Sequence, residues 1–235
     1  MPEDGKFRYE LKYVCSTAQL TLMKNQVSSL LMRDSHTANN GSYYVRSLYF
    51  DDIDDTYYQE TEDGLDVREK IRIRTYNHNT SPIHLEIKKK TNGKTQKLFC
   101  SITEQQCRTL MEGKPLESRN DYHPVLQKLN VAIKTRLMTP KVIVEYERIP
   151  FVYKNGNVRI TMDTNIASTN QTDGFFKKNI PKRPIMPPGQ HILEIKFDEF
   201  FPSHIYKSIN LENLRQTAFS KYYLCRKYAL GVCSL

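Results

Sequence analysis

The segment Arg68-Glu69-Lys70-Ile71-Arg72-Ile73-Arg74 constrains this chain more than any other. In an extended strand, alternate side chains share a face. Arg68, Lys70, Arg72 and Arg74 then line one side, and Ile71 and Ile73 take the other. Arg and Lys are almost never fully buried without a partner. Such a strand suits a wall with apolar core behind it and a polyanion in front. The pattern returns in His84-Leu85-Glu86-Ile87-Lys88 and in Ile192-Leu193-Glu194-Ile195-Lys196-Phe197. Its recurrence separates it from an ordinary solvated charge run.

A length of 235 residues without a Gly/Ser linker points to a single domain spanning 1–235. The excess of 35 basic over 26 acidic residues, a net +9, calls for an anionic partner without naming it. Cys15, Cys100, Cys107, Cys225 and Cys233 are odd in number and lack Cys-x-x-Cys spacing. That favours a reduced, cytoplasmic setting over a disulfide framework. With no signal-like or membrane-length apolar run, a soluble protein is expected. Docking on a membrane protein stays open.

Alternation predicts strands over Phe7–Val14, Tyr43–Phe50, Val67–Tyr76, Ile83–Lys89, Thr95–Ser101, Lys141–Arg148, Val158–Asp163 and His191–Asp198. Ser16 with Gln19, and Thr103 with Gln106, read as capping boxes that open helices. The first helix carries Leu20, Met23, Val27, Leu30 and Leu31. A short helix is expected over Thr56–Glu62, and a longer one starts at His123-Pro124. Asn39-Asn40-Gly41 is a turn, and Asn165–Gly189 a long loop with room for a short strand. Two helices near Pro202–Ile209 and Leu214–Tyr228 close the chain. About eight strands joined by turns or single helices predict an antiparallel α+β fold. Closing the sheet into a barrel would remove its edges and give the charged faces a common interior.

The planar guanidiniums of Arg72 and Arg74 match phosphate oxygens in bidentate geometry. Glu86/Lys88, Glu194/Lys196 and, more weakly, Glu10/Lys12 put a carboxylate and an ammonium on one strand face. A single such pair reads as mutual neutralisation. Three beside an arginine strand read as a site for a hard divalent metal and phosphate. In Glu145-Tyr146-Glu147-Arg148, periodicity leaves open which face points inward. P-loop, kinase, Gly-x-Ser-x-Gly, Cys/His and RNP signatures are all missing, so nucleic acid is not the expected partner.

Taken in order, Glu10-Leu11-Lys12-Tyr13, Ser47-Leu48-Tyr49-Phe50-Asp51, Lys70-Ile71-Arg72-Ile73-Arg74-Thr75-Tyr76 and Leu85-Glu86-Ile87-Lys88 begin a longer set. Tyr146-Glu147-Arg148, Arg159-Ile160-Thr161-Met162-Asp163-Thr164, Leu193-Glu194-Ile195-Lys196 and Ser220-Lys221-Tyr222 complete it. The set resembles the VTC domain, the catalytic domain of the vacuolar transporter chaperone polyphosphate polymerases. That domain is one of the triphosphate tunnel metalloenzymes, or CYTH superfamily. The resemblance implies a barrel of about eight antiparallel strands enclosing a tunnel, with flanking helices. It implies phosphate binding and catalysis by Arg72, Arg74, Lys88, Arg148, Arg159 and Lys221. Lys12, Lys97 (with Lys94 as its alternative), Tyr146, Lys196 and Ser220 would assist in binding, and Glu194 would hold Mn²⁺ or Mg²⁺. The expected reaction moves the γ-phosphoryl group of ATP to inorganic polyphosphate. Hydrolysis of triphosphates in the same tunnel, or binding without turnover, are the alternatives. No inositol-phosphate-sensing domain or membrane segment flanks the motifs, which reads as a free-standing form.

Overall fold

A computed structural model describes residues 5–34, 37 and 41–231. The expected turn residues Asn39 and Asn40, and Cys233, lie outside the described residues. In chain order the elements are β1 (Phe7–Ser16), α1 (Thr17–Leu30), β2 (Met32–Arg33), β3 (Tyr43–Asp51) and α2 (Thr56–Glu62). Then come β4 (Arg68–Tyr76), β5 (Ile83–Thr91), β6 (Lys94–Ile102), α3 (Glu104–Met111) and α4 (Pro124–Arg136). The chain continues through β7 (Thr139–Tyr153), β8 (Val158–Thr169), β9 (Arg183–Pro184), β10 (Gln190–Phe197), α5 (Ser203–Ser208) and α6 (Lys221–Ala229).

Eight strands run in the order β7-β3-β4-β5-β6-β1-β10-β8, and β8 pairs back with β7 to close an antiparallel barrel. The short strands β2 and β9 are added outside this ring. Both expected capping boxes form, at Ser16/Gln19 and at Thr103/Gln106. Pro124 stands in the first turn of α4, where its missing N–H costs nothing.

The apolar material lies outside the barrel wall, under the helices. Ile71, Ile73, Leu85 and Ile87 share one buried cluster with Leu126, Leu129 and Ile133 of α4. Ile160, Met162, Leu193 and Ile195 share a second with Leu20, Met23 and Val27 of α1. Each fully buried aliphatic side chain contributes roughly 1.5–3 kcal/mol. This packing offsets the apolar core that the barrel interior gives up to charge. Leu30 was expected in the α1 stripe, but it stands exposed at the last turn.

Three expectations change in extent. β7 and β8 run well beyond Lys141–Arg148 and Val158–Asp163, because they pair with each other out to Thr169. The expected loop at Asn165–Gly189 therefore begins after the strand. A register shift between Glu145 and Glu147 faces Asn165, which takes a left-handed conformation (φ 52°). Asn tolerates that conformation better than most residues, so a reading based on alternation ends there. The last helix starts at Lys221 rather than near Leu214. The segment before it is extended, bridging Tyr13 through Gln216 and donating the Thr217 amide to the Lys12 carbonyl at 2.8 Å.

Gly156 turns the β7–β8 hairpin with φ +73°, and its carbonyl accepts the Asp198 amide at 3.1 Å. A Cβ there would sit 2.8 Å from the Phe200 carbonyl oxygen. Gly156→Ala is expected to destabilise the fold by about 1–3 kcal/mol, read as a lower urea midpoint at unchanged m-value. An unchanged midpoint would refute the close approach.

Candidate active site

The barrel encloses a cavity of about 560 Å³ lined by charged and tyrosyl side chains. Strand alternation alone explains its character. The residues whose neighbours pack outward under the helices are those that point in. Arg68, Lys70, Arg72 and Arg74 line it from β4, and Glu10 and Lys12 from β1. Tyr146 and Arg148 come from β7, and Glu194 and Lys196 from β10. Ser220 and Lys221 enter from the N-terminus of α6, where Ser220 is the cap residue.

The question left open by the Glu145–Arg148 pattern is answered by this packing. Tyr146 and Arg148 face the cavity, while Glu145 and Glu147 do not line it. Glu145 instead receives Arg46 Nε at 2.6 Å, and Arg46 also donates to the carbonyls of Phe175, Lys177 and Lys178. That buried pair ties the segment after β8 to the barrel.

The interior cations are held by four carboxylates. Glu86 accepts Arg72 at 2.7 Å and forms an ion pair with Arg74 at 3.6 Å. Asp163 accepts Arg148 through Nε and Nη2, both at 2.7 Å, and Lys221 at 2.7 Å. Glu10 receives Lys12 at 2.9 Å and Lys88 at 2.7 Å, and Glu194 receives Lys196 at 2.7 Å. Hydroxyl groups complete the array. Arg72 donates to the Tyr49 hydroxyl at 2.8 Å and Arg74 to Ser47 Oγ at 3.1 Å. Lys221 sits over the Tyr146 ring at 4.7 Å.

These contacts shift the titrations. Burial and the neighbouring Glu194 push Glu10 up, but Lys12, Lys88 and Lys196 outweigh them and hold it well below the carboxylate range. Burial also opposes ionisation of Glu194, Glu86 and Asp163, and in each the adjacent cations prevail. Burial pushes Lys88 down to about 8 in spite of Glu10. The carboxylates are thus ionised at neutral pH, and the interior is a fixed lattice of alternating charge.

Two expected residues stand back from the cavity lining. Arg159 pairs with Asp34 at 2.7 Å and donates to the Tyr43 hydroxyl at 3.2 Å. Lys97 lies over the Phe99 ring at 4.4 Å, with its ammonium 3.4 Å from Glu86 Oε1. The other expected residues converge: Lys12, Arg72, Arg74, Lys88, Tyr146, Arg148, Glu194, Lys196, Ser220 and Lys221 all line one cavity. Lys70 and Glu86 also belong to this array, as their strand faces predict, and so do Asp163 and Tyr49, which were not assigned to it from sequence. Tyr49 shares the parity of Ser47 on β3, whose hydroxyl accepts Arg74. The pairing of Asp163 with Lys221 crosses 58 positions of sequence and leaves no local trace.

The donor set suits a hard divalent ion. Among the described residues no three His, Cys, Asp or Glu side chains converge as a complete metal centre. Glu10 and Glu194 nevertheless share the Lys12 ammonium, at 2.9 and 3.9 Å. Thr161, opposite Glu194 in the β8–β10 register, has a buried hydroxyl without a hydrogen-bond partner. Mg²⁺-like ions commonly take one or two carboxylates and fill the remainder with water and substrate phosphate. The residues present fit that mode.

Comparisons with solved structures agree with the barrel. A candidate adenylyl cyclase from Hippeastrum, described as having a dominant triphosphatase activity, superposes with a TM-score of 0.56 at 14% identity, covering 95% of this chain and 96% of that one. A candidate adenylate cyclase from Bacillus halodurans superposes with a TM-score of 0.52 at 15% identity, covering 92% and 95%. At such identities the likeness is one of fold. No curated protein matches by sequence. The model of the VTC domain matches residues 7–230, so the chain belongs to the VTC domain family, whose CYTH-like tunnel the closed barrel reproduces.

Proposed function

We propose that this chain is a polyphosphate polymerase that transfers the γ-phosphoryl group of ATP to the end of an inorganic polyphosphate chain, releasing ADP. The observation that carries the reading is one cavity in which Arg72, Arg74, Lys88, Arg148, Lys196 and Lys221 surround a common space. Phosphoryl transfer requires in-line positioning and neutralisation of charge more than covalent help. Arg72, Arg74 and Arg148 offer bidentate forks to non-bridging oxygens. Lys12, Lys88 and Lys221 act as compact charges between them. The carboxylates that hold these cations apart in the free protein keep them in place for the ligand. The nucleophile is a terminal phosphate oxygen, already anionic, so no general base is required. Glu194, with Glu10 beside it, would hold Mn²⁺ or Mg²⁺, which supplies Lewis-acid stabilisation of phosphate oxygens when bound. Arg159 and Lys97, set back from the lining, act as outer cations on the phosphate path.

A second reading is favoured by the Hippeastrum neighbour, whose described activity is triphosphatase. The same cavity with water as nucleophile would hydrolyse tripolyphosphate or a nucleoside triphosphate. Purified protein incubated with ATP and Mn²⁺ or Mg²⁺ distinguishes the two on a polyphosphate gel. Long chains with stoichiometric ADP support the polymerase, and free phosphate without chains supports the hydrolase. Binding without turnover leaves a polyphosphate-binding module. No helix among the described residues is long and apolar enough to cross a membrane, and the four described cysteines are buried and free. We assign the activity to the cytoplasm on the second of these observations.

A further inference from the structure

The inward rows of four neighbouring strands, β3, β4, β5 and β6, change character in the same direction. On β4 the row runs Lys70, Arg72, Arg74 and ends in Tyr76. On β5, antiparallel to it, the row runs back from Lys88 through Glu86 to His84. On β3 Ser47 leads to Tyr43, and on β6 Lys97 leads to Phe99. Directly paired residues share a face of a sheet. The pairing of Arg74 with His84 and with Ser47, and of Glu86 with Phe99, therefore fixes all four rings on the interior side. The rings form a continuous arc. Tyr43 meets Tyr76 at 5.7 Å, Tyr76 meets His84 at 6.1 Å, and His84 meets Phe99 at 5.7 Å, each edge to face. Ser220, the cap of α6, bonds Lys70 near the start of β4, so the arc stands at the opposite end of the barrel. It begins just beyond the cavity, whose lining includes Arg74 but none of these rings.

Packing within the chain does not complete the arc. Tyr76, His84 and Phe99 are each only half-buried. His84 Nδ1 is buried without a hydrogen-bond partner, a costly state for a polar atom. Burial lowers the His84 pKa against the pull of Glu86, and Lys97 and Arg74 lower it further. The imidazole is therefore neutral at pH 7 and carries one donor and one acceptor, whichever tautomer it takes. The two expected phosphate binders that stand back from the cavity both touch these rings. Arg159 donates to the Tyr43 hydroxyl at 3.2 Å, and the Lys97 ammonium lies 4.4 Å from the centre of Phe99. The interior thus runs from charge to aromatic along one direction. Inorganic polyphosphate, charged throughout, has no use for the rings. A nucleoside triphosphate has the same order of parts as the wall.

We propose that Tyr76, His84 and Phe99 form a nucleobase site, in which the base of the nucleotide stacks on Phe99 with its edge against His84 while its phosphates run past Arg74 into the cavity. The inference rests on the nucleotide reading of the cavity and adds what distinguishes a nucleotide from bare phosphate. Lys97 covers the Phe99 face in the free protein. Stacking of a base on an aromatic ring is worth more than an exposed cation–π contact, so the base displaces the ammonium. Lys97, already 3.4 Å from Glu86 Oε1, then stays beside the phosphate nearest the nucleoside. Tyr43 is a positioning residue: it is buried, it braces Tyr76 through the ring edge, and its hydroxyl holds Arg159.

Equilibrium titrations of ATP and of inorganic tripolyphosphate into the full chain, in EDTA to prevent turnover, separate the base from the phosphates. The quantity read is the ratio of the two dissociation constants in each protein. Phe99→Leu keeps an apolar side chain and removes the stacking face. It is expected to weaken ATP about tenfold or more and to leave tripolyphosphate unchanged. Phe99→Tyr, which keeps the face, is expected to show the wild-type ratio. UTP, with the smaller base, is expected to lose less than ATP in Phe99→Leu. Tripolyphosphate binding reports that each variant is folded, and Tyr76→Leu carries the same expectation if Phe99→Leu is not. A ratio unchanged by the leucine variant, a parallel weakening of both ligands, or a ratio that Phe99→Tyr fails to keep would overturn the nucleobase site and leave the phosphate reading of the cavity standing. A wild-type protein that binds neither ligand would overturn both.

Discussion

Asp163→Asn is expected to lose about 3–5 kcal/mol of stability, the usual cost of removing one partner from a buried ion pair. Asp163 is wholly buried and holds Arg148 through two bonds of 2.7 Å, with Lys221 at the same distance. The amide leaves two cations without a counter-charge in an interior already dense with positive charge. Urea unfolding measures the loss. On the proposed reading polyphosphate binds the folded state and replaces the missing charge, so it should recover more stability in the variant than in wild type. The pH dependence has a definite sign. Burial raises the Asp163 carboxyl, but Arg148 and Lys221 lower it further, so its folded value lies below its unfolded one. Its stabilisation is complete above the unfolded value, near pH 4, and disappears as pH falls through the folded one. The wild-type and Asp163→Asn curves should therefore converge on acidification. Equal midpoints at pH 7 would show that the triad contributes nothing to the fold.

Glu194→Gln is expected to reduce turnover by about 10²–10³-fold, the effect of losing one electrostatic contact in the transition state. Binding of polyphosphate should persist. The substitution removes a negative charge from a cavity built for an anion, and it frees Lys196, now 2.7 Å from Glu194, to meet phosphate. The measurement is paired: steady-state product formation with Mn²⁺ or Mg²⁺, and direct titration of polyphosphate. Loss of turnover with intact affinity assigns Glu194 to the chemical step. Full turnover in the variant would remove it from the site. Parallel loss of both would mark it as a structural partner of Lys12 and Lys196.

Much of this site is legible by parity alone. In β4 the rule of alternation places Arg72 and Arg74 inward and Ile71 and Ile73 in the outer core, and the structure agrees. The same rule puts Lys70 on the inward face, where the structure has it. It left the Glu145–Arg148 segment open because both faces carry polar groups. The outward face is polar there because Glu145 meets Arg46, a buried partner 99 residues away. It also failed at Asn165, where a bulge interrupts the period that the rule assumes. The end of the chain misled for a different reason. Gln216 to Ser220 has a composition compatible with helix, yet its backbone bonds to β1, a competition that local propensity does not register.

A period of two with cations on one face dictates a two-sided wall, because an apolar face must be buried and a cationic face cannot be without anions. From the residues alone follow the strand class, the polyanion partner and most of the inward cations. Closure is a different kind of fact. That β8 returns to β7 depends on pairing between strands and turns a set of charged faces into one enclosed space. The bonding of Arg148 on β7 to Asp163 on β8 depends on it too. Asp163, Glu86, Glu10 and Glu194 neutralise cations carried on other strands or on α6, across distances of sequence that no periodicity spans.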